Sequence, residues 1–510
     1  MSPDPAARGR TGTLVLLASA LWTVPLWLVL DPPMADYPQQ LALAAILRWY
    51  GDPSRGFQQL YEIVWTRPHS LFKLLTAGLA WIVPIHTAGK LVVAASLAAV
   101  GPASLALCRR AGRPGWYALA ALALTYNYAF FWGFVDNLIA YPLVLAGLAL
   151  AERRFEQPWK TSSWIQLAAL TLAFYEVHLQ FLLIFAGGVG WLALTRRPGW
   201  RRLAVWLSAL LPGLALGVGV LAYASLRAPT GVITAYELRM RTAPTVMRGP
   251  VEKLVQIPNL LFGHSDGKEM ALMALLVVLG VVVAASFAST AAPGPRPGWW
   301  FRTRFATLAA WLWLLYWILP ELHGGFLIAR RIVPMAALVT VIALPPPAPS
   351  RRRLALGLAA ALVLVQLGLT TAGFLHFRRE AAGARELLAA TAPGESLAGL
   401  IFDRRSEYWP RYPVFLHFPA YYQVDKGGRL LFSFAELYQT PVRYRPGESR
   451  EYTLVAWDEW SPRRFSYPRH GGQFRYFLAH GSRTEIERAF GPALRERGIR
   501  SAGNWSLIGR

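Results

Sequence analysis

Cysteine is nearly absent from this sequence: Cys108 is the single one in 510 residues. An intramolecular disulfide is excluded, so any part of the chain outside a cell must hold together without one. Charge is scarce as well, at 16% of residues against about 25% in soluble domains. Acidic residues are scarcer still, 28 against 52 Lys and Arg, for a net charge of +24. Such an excess can mark a nucleic-acid partner. Here the arginines fall in short clusters between apolar runs, the pattern of a membrane topology signal, so no nucleic acid is expected. No P-loop, no Gly-rich dinucleotide fingerprint, no zinc-ligand spacing, no paired Asp-x-Asp and no internal repeat occurs. No cofactor is therefore expected, and a divalent ion held by Asp36, Asp136 and other carboxylates stays open.

What the sequence does have is apolar length. Hydrophobic residues make up 55% of it, and the mean hydropathy is +0.33. A membrane-crossing helix needs about 20 mostly apolar residues. Candidate spans lie at 12–30, 88–107, 115–132, 137–151, 162–177, 179–195, 203–224, 269–289, 304–320, 331–346 and 354–374. With the N-terminus inside, five basic clusters fall in inside loops. They are Arg109, Arg110 and Arg113; Arg153, Arg154 and Lys160; Arg196, Arg197, Arg201 and Arg202; Arg296, Arg302 and Arg304; and Arg351 to Arg353. All land on one side, as cytoplasmic Lys/Arg enrichment requires.

Counting the apolar stretch 71–86 as a span would invert every later cluster, so it is read as lying in or dipping into the outer interface. The first run follows Arg8 and Arg10 with no small-residue cleavage site and is read as an uncleaved span. About eleven spans then put the C-terminus outside. Richness in Ala, Arg, Gly and Pro points to a GC-rich bacterium, whose plasma membrane would hold the chain.

The expected fold class is mainly α, a polytopic helical bundle carrying a small α/β domain. Residues 1–374 would form the membrane part, with outer loops at 31–87 and 225–268. Residues 375–510 would form an extracytoplasmic α/β domain. Helical patterns there, at 378–391 and 484–497, alternate with strand-like runs from Leu397 to Phe402, Tyr452 to Trp457, Tyr476 to Ala479 and Trp505 to Ile508.

The first outer loop opens on Leu30-Asp31-Pro32-Pro33-Met34-Ala35-Asp36-Tyr37-Pro38-Gln39-Gln40, placing two carboxylates where a span leaves the bilayer. Asp36, with a proline in the first turn and a glutamine three residues on, has the pattern of a helix N-cap. It is equally a carboxylate able to take a proton from a hydroxyl. The roles are compatible, since a cap fixes a base in place; Asp31 is the alternative base. Arg330 and Arg331 break the one-sided charge pattern, following Pro320-Glu321-Leu322-His323 on the outer side. A helix start plus arginine suits phosphate, and the plainer account is snorkelling to headgroups. Asp136 and Asn137 sit at one outer turn, Glu176 and His178 at the next. An aspartate at membrane depth is usually functional, although a loop position can leave it solvated, and a lone histidine often serves only a local hydrogen bond.

Asp36-Tyr37-Pro38-Gln39-Gln40-Leu41 resembles an Asp-x-Pro-x-His-Leu motif of uncharacterised bacterial members of the GT-C glycosyltransferases. Gly133-Phe134-Val135-Asp136-Asn137 resembles their Gly-Phe-x-Asn-Tyr segment. The layout is also similar: a first span, an aspartate in an outer loop, many spans and a soluble outer domain. That superfamily includes protein O-mannosyltransferases, the aminoarabinose transferases of lipid A and oligosaccharyltransferases. Gln40 stands where histidine would be expected, and Asp36 lacks the adjacent glutamate of the mannosyltransferase pair.

The resemblance implies inverting transfer of a sugar from a polyprenyl-phosphate donor to a hydroxyl of a lipid, glycan or protein acceptor at the outer face. It implies Asp36 as general base, Arg330 or Arg331 at the donor phosphate, and Gln40, Asp136, Asn137, His178 and His323 along the cavity. The missing Asp-x-Asp fits a donor already attached to polyprenyl phosphate. The aromatic stretch from Phe415 to Lys426, with Tyr421 and Tyr422, would stack on sugar or pack on the membrane part. Two other classes stay open. A secondary transporter tends to show repeats and midplane charges, whereas the ionisable residues here lie mostly at span ends. An inactive scaffold would bind lipid or a partner through the same cavity.

Overall fold

The structure, a computed structural model, describes residues 5–227, 244–285, 299–323, 326–437, 440–448 and 457–509. Helices dominate, and every predicted span contains helix. Three are long and apolar enough to cross a membrane: Ile85–Ala111, Val135–Phe155 and Pro349–Glu380. The pair Trp200–Ser208 and Leu211–Val220, bent by 56° at its break, makes a fourth if taken as one span. The chain is thus a multi-pass membrane protein. The stretch 71–86 holds a nine-residue helix, Leu71–Leu79, ending beside Trp81 and Ile82, which are 73% and 83% exposed. At 1.5 Å per residue such a helix covers roughly half of a ~30 Å apolar layer, too little to cross it.

Two of the predicted spans are interrupted. The run 12–30 becomes Pro5–Leu21 followed by Val24–Trp27, and 115–132 becomes Tyr117–Ala123 and Tyr128–Trp132. Backbone groups freed by a break at membrane depth need partners inside the protein. Asn127 supplies one by accepting from the Ala129 N–H at 2.8 Å. Gln366 supplies two more, donating to the carbonyls of Tyr126 and Phe262 at 3.2 and 3.1 Å. Trp22 then donates to Thr125 at 2.6 Å, tying the two interrupted runs together.

Ile85–Ala111 packs along Val135–Phe155. Near the N-terminal end of Ile85–Ala111, a Cβ on Gly89 would lie 2.4 Å from the Tyr37 hydroxyl. At the far end of Val135–Phe155, the fully buried Glu152 is met by Arg196 at 2.7 Å and Arg304 at 3.0 Å, which joins three helices.

The helix Arg352–Glu380 leads, through the short helix Ala384–Ala389, into a five-stranded sheet. Its order is Arg429–Leu430, Ser396–Ile401, Tyr476–His480, Trp505–Gly509 and Ile499–Ala502. The first two pairings are parallel and the last two antiparallel. The helices Arg483–Phe490 and Ala493–Arg497 follow the Tyr476–His480 strand, within the second predicted helical pattern. The run Tyr452 to Trp457 lies almost wholly outside the described residues, and the strands at 429–430 and 499–502 had no clear period-2 signal. The loop 31–87 is stitched to this part of the chain. Tyr61–Ile63 pairs antiparallel with Val442–Tyr444, and Arg55 donates to the Val424 carbonyl at 2.9 Å.

Candidate active site

The helix Tyr37–Arg48 starts directly after Asp36, and Pro38 sits in its first turn, where the missing N–H costs nothing. Asp36 occupies the N-cap position, yet its backbone is helical (φ −85°, ψ −11°) and its side chain makes no capping bond. The loop is held by backbone instead: the Ala35 and Asp36 N–H groups donate to the carbonyls of Phe131 and Trp132 at 3.0 and 2.9 Å. Gly133 completes that contact with φ +77°, and a Cβ there would stand 2.7 Å from the nitrogens of both Asp36 and Tyr37. The two motifs read from the sequence are therefore one structural unit. The Asp36 carboxylate, released from capping, turns toward His417, whose Nε2 lies 3.5 Å from Oδ1.

Asp36 opens onto a cavity of about 1010 Å³. One wall is the start of Val135–Phe155. Its Asp136 is buried and faces Lys73 at 3.3 Å and His69 at 3.7 Å. His69 has a left-handed backbone (φ +64°), the kind of strain that collects at functional sites. Burial holds its imidazole below the ordinary range, although Asp136 pulls the other way. Arg331 comes from the opposite side. Its Nη1 lies 2.8 Å from Nε2 of His178 and 3.4 Å from Oδ1 of Asn137, and its guanidinium lies 3.9 Å from the centroid of Phe134. Among the described residues, no carboxylate lies within ion-pair distance of it.

A third wall comes from the C-terminal part: His417, Phe432, Phe434, Glu459 and Trp460. Gln39 fixes this wall, donating to the Phe432 carbonyl and accepting from the Phe434 N–H, both at 3.1 Å. The rest of the lining is largely apolar, including Leu183, Ile184, Leu315, Leu319, Ile328 and Ile332. A polar end with Asp36, Lys73 and Arg331 thus shares one cavity with a greasy wall.

Of the residues singled out in the sequence, Asp36, Gln40, Asp136, Asn137, His178 and Arg331 all line this cavity. Asp31 and Arg330 do not. Asp31 is buried beside Arg385 at 3.6 Å and His86 at 3.8 Å. Arg330 is paired with Glu321, which also holds Arg248 at 2.7 Å. The side chain of His323 lies outside the described residues, as do Arg239 and Arg241 of the second outer loop. Tyr421 and Tyr422 are buried, and the Tyr422 hydroxyl donates to the Ala392 carbonyl at 2.9 Å, so this stretch packs.

Lys73, His69, His417 and Glu459 were missed. A lone lysine inside the apolar stretch 71–86 was the one available signal. His376, Glu380 and Glu407 come close enough to share a metal ion, but away from the cavity, and Glu380 already accepts from Ser406 and from the Glu407 N–H.

No family model matches the sequence, and no curated protein matches it at a significant level. Solved structures do. The crystal structure of ArnT from Cupriavidus metallidurans bound to undecaprenyl phosphate matches with a TM-score of 0.57 at 13% identity, over 97% of each chain. The chain shares the fold of this ArnT. The likeness spans the helical bundle and the C-terminal sheet together. The apo crystal structure of the same ArnT aligns at 14% identity over 99% of this chain and 98% of the other, with a TM-score of 0.42.

Proposed function

We propose that this chain is an inverting glycosyltransferase of a bacterial plasma membrane. It would move a sugar from a polyprenyl-phosphate donor to an acceptor hydroxyl at the outer face, with about eleven spans, a cytoplasmic N-terminus and the C-terminal sheet outside. The observation that carries this reading is Arg331: a guanidinium on the cavity wall whose near side-chain partners, Asn137 and His178, are neutral. A half-buried cation with no described carboxylate within ion-pair distance gains when an anion arrives. A phosphate there would sit beside Lys73, with its prenyl chain along Leu183, Leu315 and Ile332. ArnT, the aminoarabinose transferase with this fold, was crystallised with undecaprenyl phosphate, which supports the same class of donor.

Asp36 serves as the base. It takes the proton of the acceptor hydroxyl as that oxygen attacks the anomeric carbon and the phosphate departs toward Lys73 and Arg331. Of the other carboxylates on the wall, Asp136 is held between Lys73 and His69 and Glu459 lies 3.0 Å from His417, whereas the contact of Asp36 with that ring is longer, at 3.5 Å, and made through Oδ1. A single displacement of this kind inverts the anomeric centre.

The test uses the purified chain in nanodiscs and polyprenyl phosphate carrying mannose, glucose or aminoarabinose. Transfer to any acceptor hydroxyl is expected. Arg331→Gln should weaken undecaprenyl phosphate binding by about ten- to a hundredfold, the worth of a hydrogen bond to a charged group. Arg330→Gln should leave it unchanged. Equal losses in the two variants, or none in either, would remove the phosphate role from Arg331.

A further inference from the structure

Asp36 is met from the C-terminal part of the chain by His417. The Nε2 of this ring lies 3.5 Å from Oδ1 of Asp36, and its Nδ1 lies 3.0 Å from Oε2 of Glu459. Both His417 and Glu459 are buried, at 4% and 7% exposure, and both line the cavity. The ring has little freedom. Phe432 stacks on it with centroids 5.6 Å apart and planes 28° apart, and Phe434 meets it edge-on at 5.4 Å. An imidazole lodged between two carboxylates carries its charge. Burial alone lowers it, but Glu459 and Asp36 outweigh that and lift His417 to about 10.

Such a ring answers a need left open at Asp36. A carboxylate that makes no capping bond turns easily, because its last torsion is broad and two-fold. A base pointed wrongly loses much of its value.

We propose that His417 and Glu459 are positioning residues for the base: the ring, anchored by Glu459, grips Oδ1 of Asp36 and leaves Oδ2 to the acceptor hydroxyl. This rests on the glycosyl-transfer reading of the cavity. In the step, the acceptor O–H gives its proton to Oδ2 and the acceptor oxygen bonds to the anomeric carbon. The bond from that carbon to the phosphate oxygen breaks, and its electron pair leaves on the phosphate. His417 keeps its proton throughout. The titratable and charged groups around this line of side chains are Asp36 from the loop 31–87, Glu459 and Asp458 from the segment after 456, Glu436 beyond them, whose carboxyl burial raises well above its ordinary range, and Arg331 acting on Asp36 across the cavity.

The pH dependence has a definite sign. When the ring loses its proton with rising pH, the grip on Oδ1 goes, and activity falls. Glu459→Gln removes the carboxylate that holds the proton on, so the fall must begin at lower pH. The experiment compares kcat and donor KM against pH for the full chain in nanodiscs, using whichever of the three polyprenyl-phosphate sugars above is transferred. His417→Gln should lower kcat by about 10²-fold with donor KM unchanged. Glu459→Gln should move the alkaline limb of kcat down by about 1–3 pH units. Ring NMR of labelled histidine provides a measure independent of turnover. One ring should stay charged at about pH 8, above the ordinary imidazole value of about 6.5. Its signal should be missing in His417→Gln and should titrate lower in Glu459→Gln.

An alkaline limb that stays in place in Glu459→Gln, or a His417 ring already neutral at about pH 8, overturns the proposal. If His417→Gln does not fold, the Glu459→Gln limb and the ring titration still decide. Transfer by the wild type with an unmoved limb overturns the positioning role alone. A wild type that transfers no sugar overturns the glycosyl-transfer reading and the positioning role with it.

Discussion

Asp36 stands at the head of a helix without capping it, and this separates two explanations that the sequence leaves together. A capping aspartate would be replaced by asparagine at little cost, since asparagine caps as well. A general base would not. Asp36→Asn is therefore expected to lower sugar transfer by about 10²–10⁴-fold, with normal membrane insertion, thermal midpoint and undecaprenyl phosphate binding. Asp31→Asn should retain most transfer, because its carboxylate serves Arg385 and His86 rather than the cavity. Transfer at the wild-type rate in Asp36→Asn would move the search for the base to Asp136.

The cavity residues that were legible, Asp36, Gln40, Asp136, Asn137, His178 and Arg331, share one property. Each is a polar group at the end of an apolar run, where a polar side chain stands out. Lys73 does not stand out because 71–86 reads as one apolar interfacial segment, in which a single lysine is expected to snorkel. His417 and Glu459 sit far apart in a region of ordinary composition, and nothing local marks either as the partner of Asp36.

At the scale of elements, the turn at Gly133 decides where Asp36 sits. A side chain there meets two penalties at once: about 1–2 kcal/mol for a left-handed backbone, and a Cβ 2.7 Å from main-chain nitrogens that cannot swing aside. Gly133→Ala is expected to lower the thermal midpoint and to lower kcat more than it raises donor KM, because the displaced element carries the base. Wild-type kcat with only a lower midpoint would separate the turn from the site.

The interruption of 115–132 was not visible as a break, since its residues are almost continuously apolar. It forms because Gln366 and Asn127 take up backbone groups that a continuous helix would have bonded, while Trp22 donates to the Thr125 hydroxyl at the break. Leu179–Thr195 coincides with the run predicted for it, where apolar length and the flanking His178 and Arg196 agree.

For the whole molecule, the C-terminal part is clamped to the first outer loop and the start of Ile85–Ala111. Asp425 faces His86 at 2.7 Å and Arg385 at 2.8 Å, and Arg385 and His86 both face Asp31. Burial would raise Asp425, but these neighbours outweigh it and hold the carboxyl below its ordinary range. A group depressed in the folded state stabilises above its unfolded value, about 3.9, and that contribution is lost as pH falls through the folded value. The gap in thermal midpoint between wild type and Asp425→Asn should therefore be widest above about pH 5 and close on acidification. A gap independent of pH would mean that the clamp works by shape and not by charge.

The proposed orientation has its own check. Reporter fusions after Arg113, Arg202 and Arg353 should report cytoplasm, and fusions after Gly267 and Arg510 the outside. A cytoplasmic report after Arg510 would overturn the eleven-span count.

The sequence by itself determined that this is a helical membrane protein, where its apolar runs lie, and which two short motifs to distrust as ordinary loops. These follow from composition and spacing, because a bilayer admits apolar helices of a certain length and places arginine on one side. Only the tertiary structure decided that the two motifs are one unit closed at Gly133, that Arg331 and not Arg330 faces the cavity, and that His417 backs Asp36. Neighbouring arginines on a 3₁₀ turn such as Ala329–Arg331 point about 120° apart, and which of them meets the cavity depends on Glu321 claiming the other. Contacts between residues hundreds of positions apart depend on how the sheet docks on the bundle, and no local pattern records that.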